Sequence, residues 1–121
     1  MLIQVNHDNH IQGSAGLTQA IRAIIEGQLA RFGEQITRVE VQLSDEAGAA
    51  KSGTNDKRCM LEARLAGMEP VSVTDRGNTV DQSVRGASRK MESLLESSLG
   101  KLNRRQHPVS EPESVEPEEQ T

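Results

Sequence analysis

Six cations are the residues of this chain best equipped to hold another molecule: Arg22, Arg31, Arg85, Arg89, Lys90 and Lys101. A guanidinium fork or an ammonium group binds phosphate oxygens through charge-assisted hydrogen bonds. Such contacts give affinity for a nucleic-acid backbone and little choice among base sequences. Arg85 and Arg89 are four residues apart, the spacing that puts two side chains on one face of a helix. With Lys90 beside them, and Arg22 and Arg31 on an earlier segment, they could track a phosphate backbone. The competing reading is a solvated helix surface, with Arg85 bound to Asp81 and Arg89 to Glu92.

Other residue groups point to less. Arg58 and Arg64 fall on the outward side of an alternating run, "DKRCMLEARLAG". Sheets that bind RNA add aromatic platforms on which bases stack. Phe32 is the only aromatic residue of the chain, and Glu40 and Glu62 dilute the charge, so a face of cross-strand salt bridges is expected there. His7, Asp8 and His10 have the chemistry of metal ligands, but their spacing is loose and a fourth ligand is not evident, so no metal is expected. Cys59 falls on the inward side of the same run with no histidine near it in sequence. Burial as a small hydrophobe suits it better than attack as a nucleophile. Paired catalytic carboxylates, phosphate-cradling loops and a Ser/His/Asp series are absent or unconvincing. The expectation is a binding protein, not an enzyme, with no cofactor and no small-molecule substrate.

These side chains need a scaffold, and length and composition bound it. A chain of 121 residues fits one domain, with an aliphatic core for want of aromatics. A single cysteine rules out an internal disulfide and fits a reducing compartment. The opening "MLIQVNHDNH" has no basic start and no long apolar run, unlike a signal peptide. Nothing approaches the roughly 20 apolar residues of a membrane span. A soluble, cytoplasmic protein is expected. The net charge of −4 is unevenly spread. Residues 107–121 hold five acids, three prolines and no Lys or Arg, leaving 14 basic against 13 acidic residues before them, a net of +1. Such a tail cannot repay its ordering entropy, so it is expected to be disordered. The expected division is a folded domain over residues 1–106 and an acidic Pro/Glu tail over 107–121.

Hydrophobic spacing then gives the elements. Residues 2–6 start a short strand, with Ile3 and Val5 on one face. Ser14 is placed to cap a helix in which Leu17, Ile21, Ile24, Ile25, Leu29 and Phe32 recur at helical spacing, and Gly33 stands where a C-terminal glycine belongs. Gly27 weakens that helix by about 1 kcal/mol relative to alanine. In "ITRVEVQLS", Val39, Val41 and Leu43 oppose Arg38, Glu40 and Gln42, as in a strand with one wet face. Residues 45–56 read as a mobile connection of small residues. In the next strand Cys59, Leu61, Ala63 and Leu65 go inward. Gly67 marks a turn, and residues 70–74 form a last strand, with Pro70 at its start or on an edge. Asn78 or Thr79 caps a long second helix with an apolar stripe of Val80, Val84, Ala87, Met91, Leu94, Leu95 and Leu102. Lys101, Arg104 and Arg105 sit at its C-terminal end, where the helix dipole favours cations. The order is β-α-β-β-β-α, an α+β fold whose four-stranded sheet carries both helices on its apolar face. The first helix crosses over between parallel strands, right-handedly.

In this order, "DNHIQGSAGL", "LTQAIRAIIEGQLARF", "ITRVEVQLSDE", "DKRCMLEARLAG" and "TVDQSVRGASRKMESLLESSLGKL" resemble the ribosome hibernation-promoting factor and ribosome-associated inhibitor family, over residues 1 to about 105. The resemblance implies a fold like that of a double-stranded RNA-binding domain. It implies binding to the small ribosomal subunit, in the channel used by mRNA and tRNA, through Lys and Arg on the two helices, and a role in silencing or preserving idle ribosomes under stress. The chain is similar to a short member of the family. It departs from the pattern at Ser93, Ser97, Ile24, Gly27 and Ala30, where basic residues are common. Fewer cations imply fewer phosphate contacts and a shallower salt dependence.

Two functions follow as expectations. One is a module that docks on ribosomal RNA. The other keeps the fold without the RNA role and uses its open sheet face, or the edge near Val71, to meet a protein partner or, weakly, a second copy.

Overall fold

The expected order of elements is the order found in the computed structural model, which describes residues 1–8, 11, 13–46 and 56–106, with residues 101–106 as backbone only. Strand β1 (Leu2–His7) leads to helix α1 (Ala15–Gln28), strands β2 (Ile36–Asp45), β3 (Lys57–Leu65) and β4 (Val71–Gly77), and helix α2 (Val80–Gln106). The sheet runs β1-β2-β3-β4. β1 pairs parallel to β2, while β2–β3 and β3–β4 are antiparallel. A hairpin cannot join parallel neighbours, so α1 makes the crossover. No helix of the described residues is long and apolar enough to cross a membrane.

The core is aliphatic and lies between the sheet and the two helices. Ile3, Val39, Val41, Leu43, Cys59, Leu61, Ala63 and Leu65 from the strands meet Ile21, Ile25 and Leu29 and then Val84, Ala87, Met91 and Leu95 from the helices. Period-two alternation sends the other strand residues to the open face. Ile11, from a stretch otherwise rich in turn formers, is also buried. The Leu102 side chain, the 47–55 part of the connection and the 107–121 tail lie outside the described residues.

Both helix starts are built from local chemistry. Ser14 has extended backbone, and its Oγ accepts from the Leu17 N–H at 3.0 Å. At α2 the Thr79 Oγ1 accepts from the Gln82 N–H at 3.1 Å, and Gln82 Oε1 accepts from the Asn78 N–H at 2.9 Å. Each helix therefore satisfies N–H groups that its first turn leaves without partners.

The far end of the first helix differs from expectation. α1 stops at Gln28, and Ala30–Phe32 form a short 3-10 helix. Gly33 follows with right-handed backbone (φ −58, ψ −31), so it is no left-handed cap. A tighter terminal turn satisfies the last carbonyls instead. The last strand also runs past the expected Thr74 to Gly77. Asp75 breaks the alternation there, because a carboxylate stands at an inward position facing α2. Gly86 makes this workable: a Cβ at that position would run into the Asp75 carboxylate.

Candidate nucleic-acid interface

The two helices lie side by side, and an open groove runs between their facing flanks. Ala23, Ile24, Gly27 and Gln28 line one wall of an open groove of about 330 Å³, with Arg85 in the other wall. Further along, Gln28 Nε2 donates to Glu92 Oε1 at 2.6 Å. Arg31, in the 3-10 turn, reaches Glu96 Oε2 at 2.8 Å and Glu92 Oε2 at 3.4 Å. Its guanidinium carbon stands 4.7 Å from the centroid of the Phe32 ring, a cation–π distance. The hydrogen bond to Glu96 raises the Arg31 pKa above its ordinary value, against a smaller opposing effect of desolvation.

The structure divides the six expected cations. Arg85 Nε binds Asp81 Oδ2 at 2.9 Å, as the competing reading expected. Arg89 does not bind Glu92, whose carboxylate is taken by Arg31 and Gln28. Arg89 is exposed and makes no ion pair among the described residues. Lys90 points the other way, over β4, where Nζ donates to the Thr74 carbonyl at 2.9 Å and Asp75 Oδ1 at 3.1 Å. Arg22 is exposed and also unpaired among the described residues. At 100° per residue, it stands roughly 120–160° around α1 from Ile24 and Gln28, on the flank away from the groove. The Lys101 side chain lies outside the described residues. The five whose side chains are described form no single patch: Arg85 lines the groove, Arg31 reaches α2 further along, Arg89 stands one helical turn from Arg85, and Lys90 and Arg22 stand on opposite outer flanks.

Sequence spacing announced only the Arg85–Asp81 pair. The carboxylates that hold the others come from far along the chain: Arg31 and Glu96 are 65 residues apart, and Lys90 and Asp75 are 15 apart across a strand–helix junction. Local pattern carries no signal for such partners.

The open sheet face corrects part of a second expectation. In register, Arg38 stands opposite Arg64 and Glu40 opposite Glu62, so like charges face each other across β2 and β3. For these residues the salt bridges run along the strands, Arg38 to Glu40 at 2.7 Å and Arg64 to Glu62 at 3.8 Å. At the other end of the sheet Arg58 stands opposite Arg76, and both reach across to Glu46, just past the end of β2, as the cross-strand reading expected for Arg58. Lys57 is held by Asp56 and Asp45, and its hydrogen bond to Asp56 raises its pKa. Arg38, Arg58, Arg64 and Arg76 on the open face, and Lys57 on the inward side of β3, each have an acidic partner.

Cys59 is fully buried, and its thiol is pushed up to about 12, first by burial and then by the charge of Asp75. A thiol held neutral in this way is a poor nucleophile. His7 Nδ1 lies 3.2 Å from the Asp8 carbonyl, and Gly13 packs against its ring. His10, the third residue of the loose trio, falls outside the described residues.

Comparison with known proteins sets this geometry in a family. No curated protein matches the sequence. Among solved structures, a ribosomal subunit interface protein from Coxiella burnetii superposes with a TM-score of 0.64 at 16% identity, over 83% of this chain and 99% of that one. The N-terminal domain of Thermus thermophilus Protein Y superposes with a TM-score of 0.59 at 22% identity, over 81% of this chain and 99% of that one. Both share the fold. Residues 10–103, which take in α1, three of the four strands and most of α2, match the sigma 54 modulation protein / S30EA ribosomal protein family, and the chain belongs to that family.

Proposed function

We propose that this chain is a cytoplasmic, ribosome-associated stress factor that docks its helix face on small-subunit ribosomal RNA and holds or protects idle ribosomes. The family is the one the sequence resembles, and a protein of the same fold is named for the ribosomal subunit interface. The observation that carries the reading is the interhelical groove, with Arg85 in its wall and Arg89, which has no ion pair among the described residues, one helical turn on. Phosphates need a donor that is exposed and mounted on a rigid element, and these two arginines meet both conditions. Lys90 contributes less directly, because its ammonium group ties α2 to β4. Residues 1–106 are the docking domain in this reading, and 107–121 an acidic appendage.

Sucrose-gradient sedimentation of a stationary-phase lysate tests the proposal. The protein should migrate with ribosomes and be released at high salt, because phosphate contacts weaken as salt rises. The double substitution Arg85→Glu and Arg89→Glu should move it to the top of the gradient with an unchanged melting temperature. Wild-type protein found only at the top would support the protein-interaction reading instead.

A further inference from the structure

We infer that the helix face is a self-neutralised site, in which Asp81, Glu92 and Glu96 occupy the groove arginines until phosphates displace them. The inference rests on the ribosomal RNA reading and adds what sets its affinity. Arg85 lines the groove, Arg31 is tied to α2 just beyond it, Arg89 shares the helix face of Arg85 one turn on, and the same strip carries three carboxylates. Arg85 is held by Asp81 at 2.9 Å and Arg31 by Glu96 at 2.8 Å. A polyanion meets a strip with no net charge, and Arg89 is the one groove cation without a carboxylate among the described residues.

The geometry makes exchange feasible. The side chains of Arg31, Arg85, Asp81 and Glu96 are all more than half exposed, at 52%, 56%, 60% and 61%. Exposed pairs are weak, and a phosphate with several oxygens competes well for a guanidinium fork. Glu92, 30% exposed and tied to Gln28 as well, yields less easily. The carboxylates therefore do not close the site; they lower its affinity by what each pair is worth. An exposed pair is worth about 1.4- to 5-fold in an equilibrium constant, and three together about 3- to 150-fold. Acids pair with cations on the sheet as well, while Glu26, Glu34 and Glu69 form no ion pair among the described residues and so provide a matched control.

The experiment measures binding to purified small ribosomal subunits by co-sedimentation, at one fixed salt concentration. Three chains are compared: wild type, a paired trio (Asp81→Asn, Glu92→Gln, Glu96→Gln) and an unpaired trio (Glu26→Gln, Glu34→Gln, Glu69→Gln) with the same change in net charge. Melting curves check that all three fold; Glu92→Gln keeps an oxygen for Gln28. The paired trio should bind about 3- to 150-fold tighter than wild type, and at least threefold tighter than the unpaired trio. Tightening of the paired trio from a wild type that binds too weakly to detect also supports the inference. Wild-type binding with no gain in the paired trio, or equal gains in both trios, overturns the inference and leaves the ribosomal reading standing. Subunits bound by none of the three chains overturn both.

Discussion

Two glycines inside the helices, Gly27 in α1 and Gly86 in α2, should respond in opposite directions to the same substitution. An alanine in place of a helical glycine gains about 0.5–1 kcal/mol from backbone entropy alone. At Gly27 nothing lies within 4 Å of the added Cβ, so that gain is realised in full. For a domain of about 100 residues, Gly27→Ala should raise the melting temperature by about 2–8 °C. At Gly86 the same Cβ meets the Asp75 carboxylate. Asp75 must rotate away, which costs about 1–3 kcal/mol as overpacking, and its bond to Lys90 is lost with it. Gly86→Ala should therefore lower stability by about 1–2 kcal/mol net. The contact is isolated by a double-mutant cycle with Asp75→Ala, read by urea unfolding monitored by circular dichroism. In the Asp75→Ala background, Gly86→Ala should become stabilising, with a coupling of about 1.5–3 kcal/mol. A rise in melting temperature for Gly86→Ala in the wild-type background, or equal effects in both backgrounds, would refute the placement of Asp75 against α2.

Other substitutions probe the remaining links. Ser14→Ala removes the Oγ that accepts from Leu17 and should cost about 1 kcal/mol in urea unfolding. Leu61, fully buried in β3, should cost about 2–5 kcal/mol when cut to alanine, enough to broaden or abolish the unfolding transition. Cys59 should resist a thiol reagent at neutral pH in the folded protein, and react at the rate of unfolding when urea is added. Its raised pKa has a sign for stability too. Above about pH 9 the unfolded thiol ionises while the folded one stays protonated, so stability should fall as pH rises from 9 towards 12, and Cys59→Ser should flatten that limb.

Much of the fold was legible in the chain itself, because it rests on period and local capping. Val39, Val41 and Leu43 alternate with polar residues, and that alternation alone assigns an inner and an outer face to β2. Ser14 and Thr79 bond to N–H groups three residues on, so their roles are contained in short windows. Where the reading slipped, a distant group had intervened. Residues 75–77 did not read as strand, because an inward aspartate makes sense only beside a glycine on a helix eleven residues later. Ile11 looked like part of a polar turn, yet it joins the core.

The candidate site was legible only as a set of residue types. Sequence fixes which side chains are cationic and which share a helix face, since Arg85 and Arg89 are one turn apart whatever surrounds them. Charge is a property of the residue, but availability is a property of its neighbours. Only the packing of α1 against α2 brings Glu92 and Glu96 onto Arg31, and only the docking of α2 on β4 turns Lys90 onto Asp75. Those distances come from chain segments that no local spacing relates, and so the tertiary structure alone decided which of these cations a carboxylate holds.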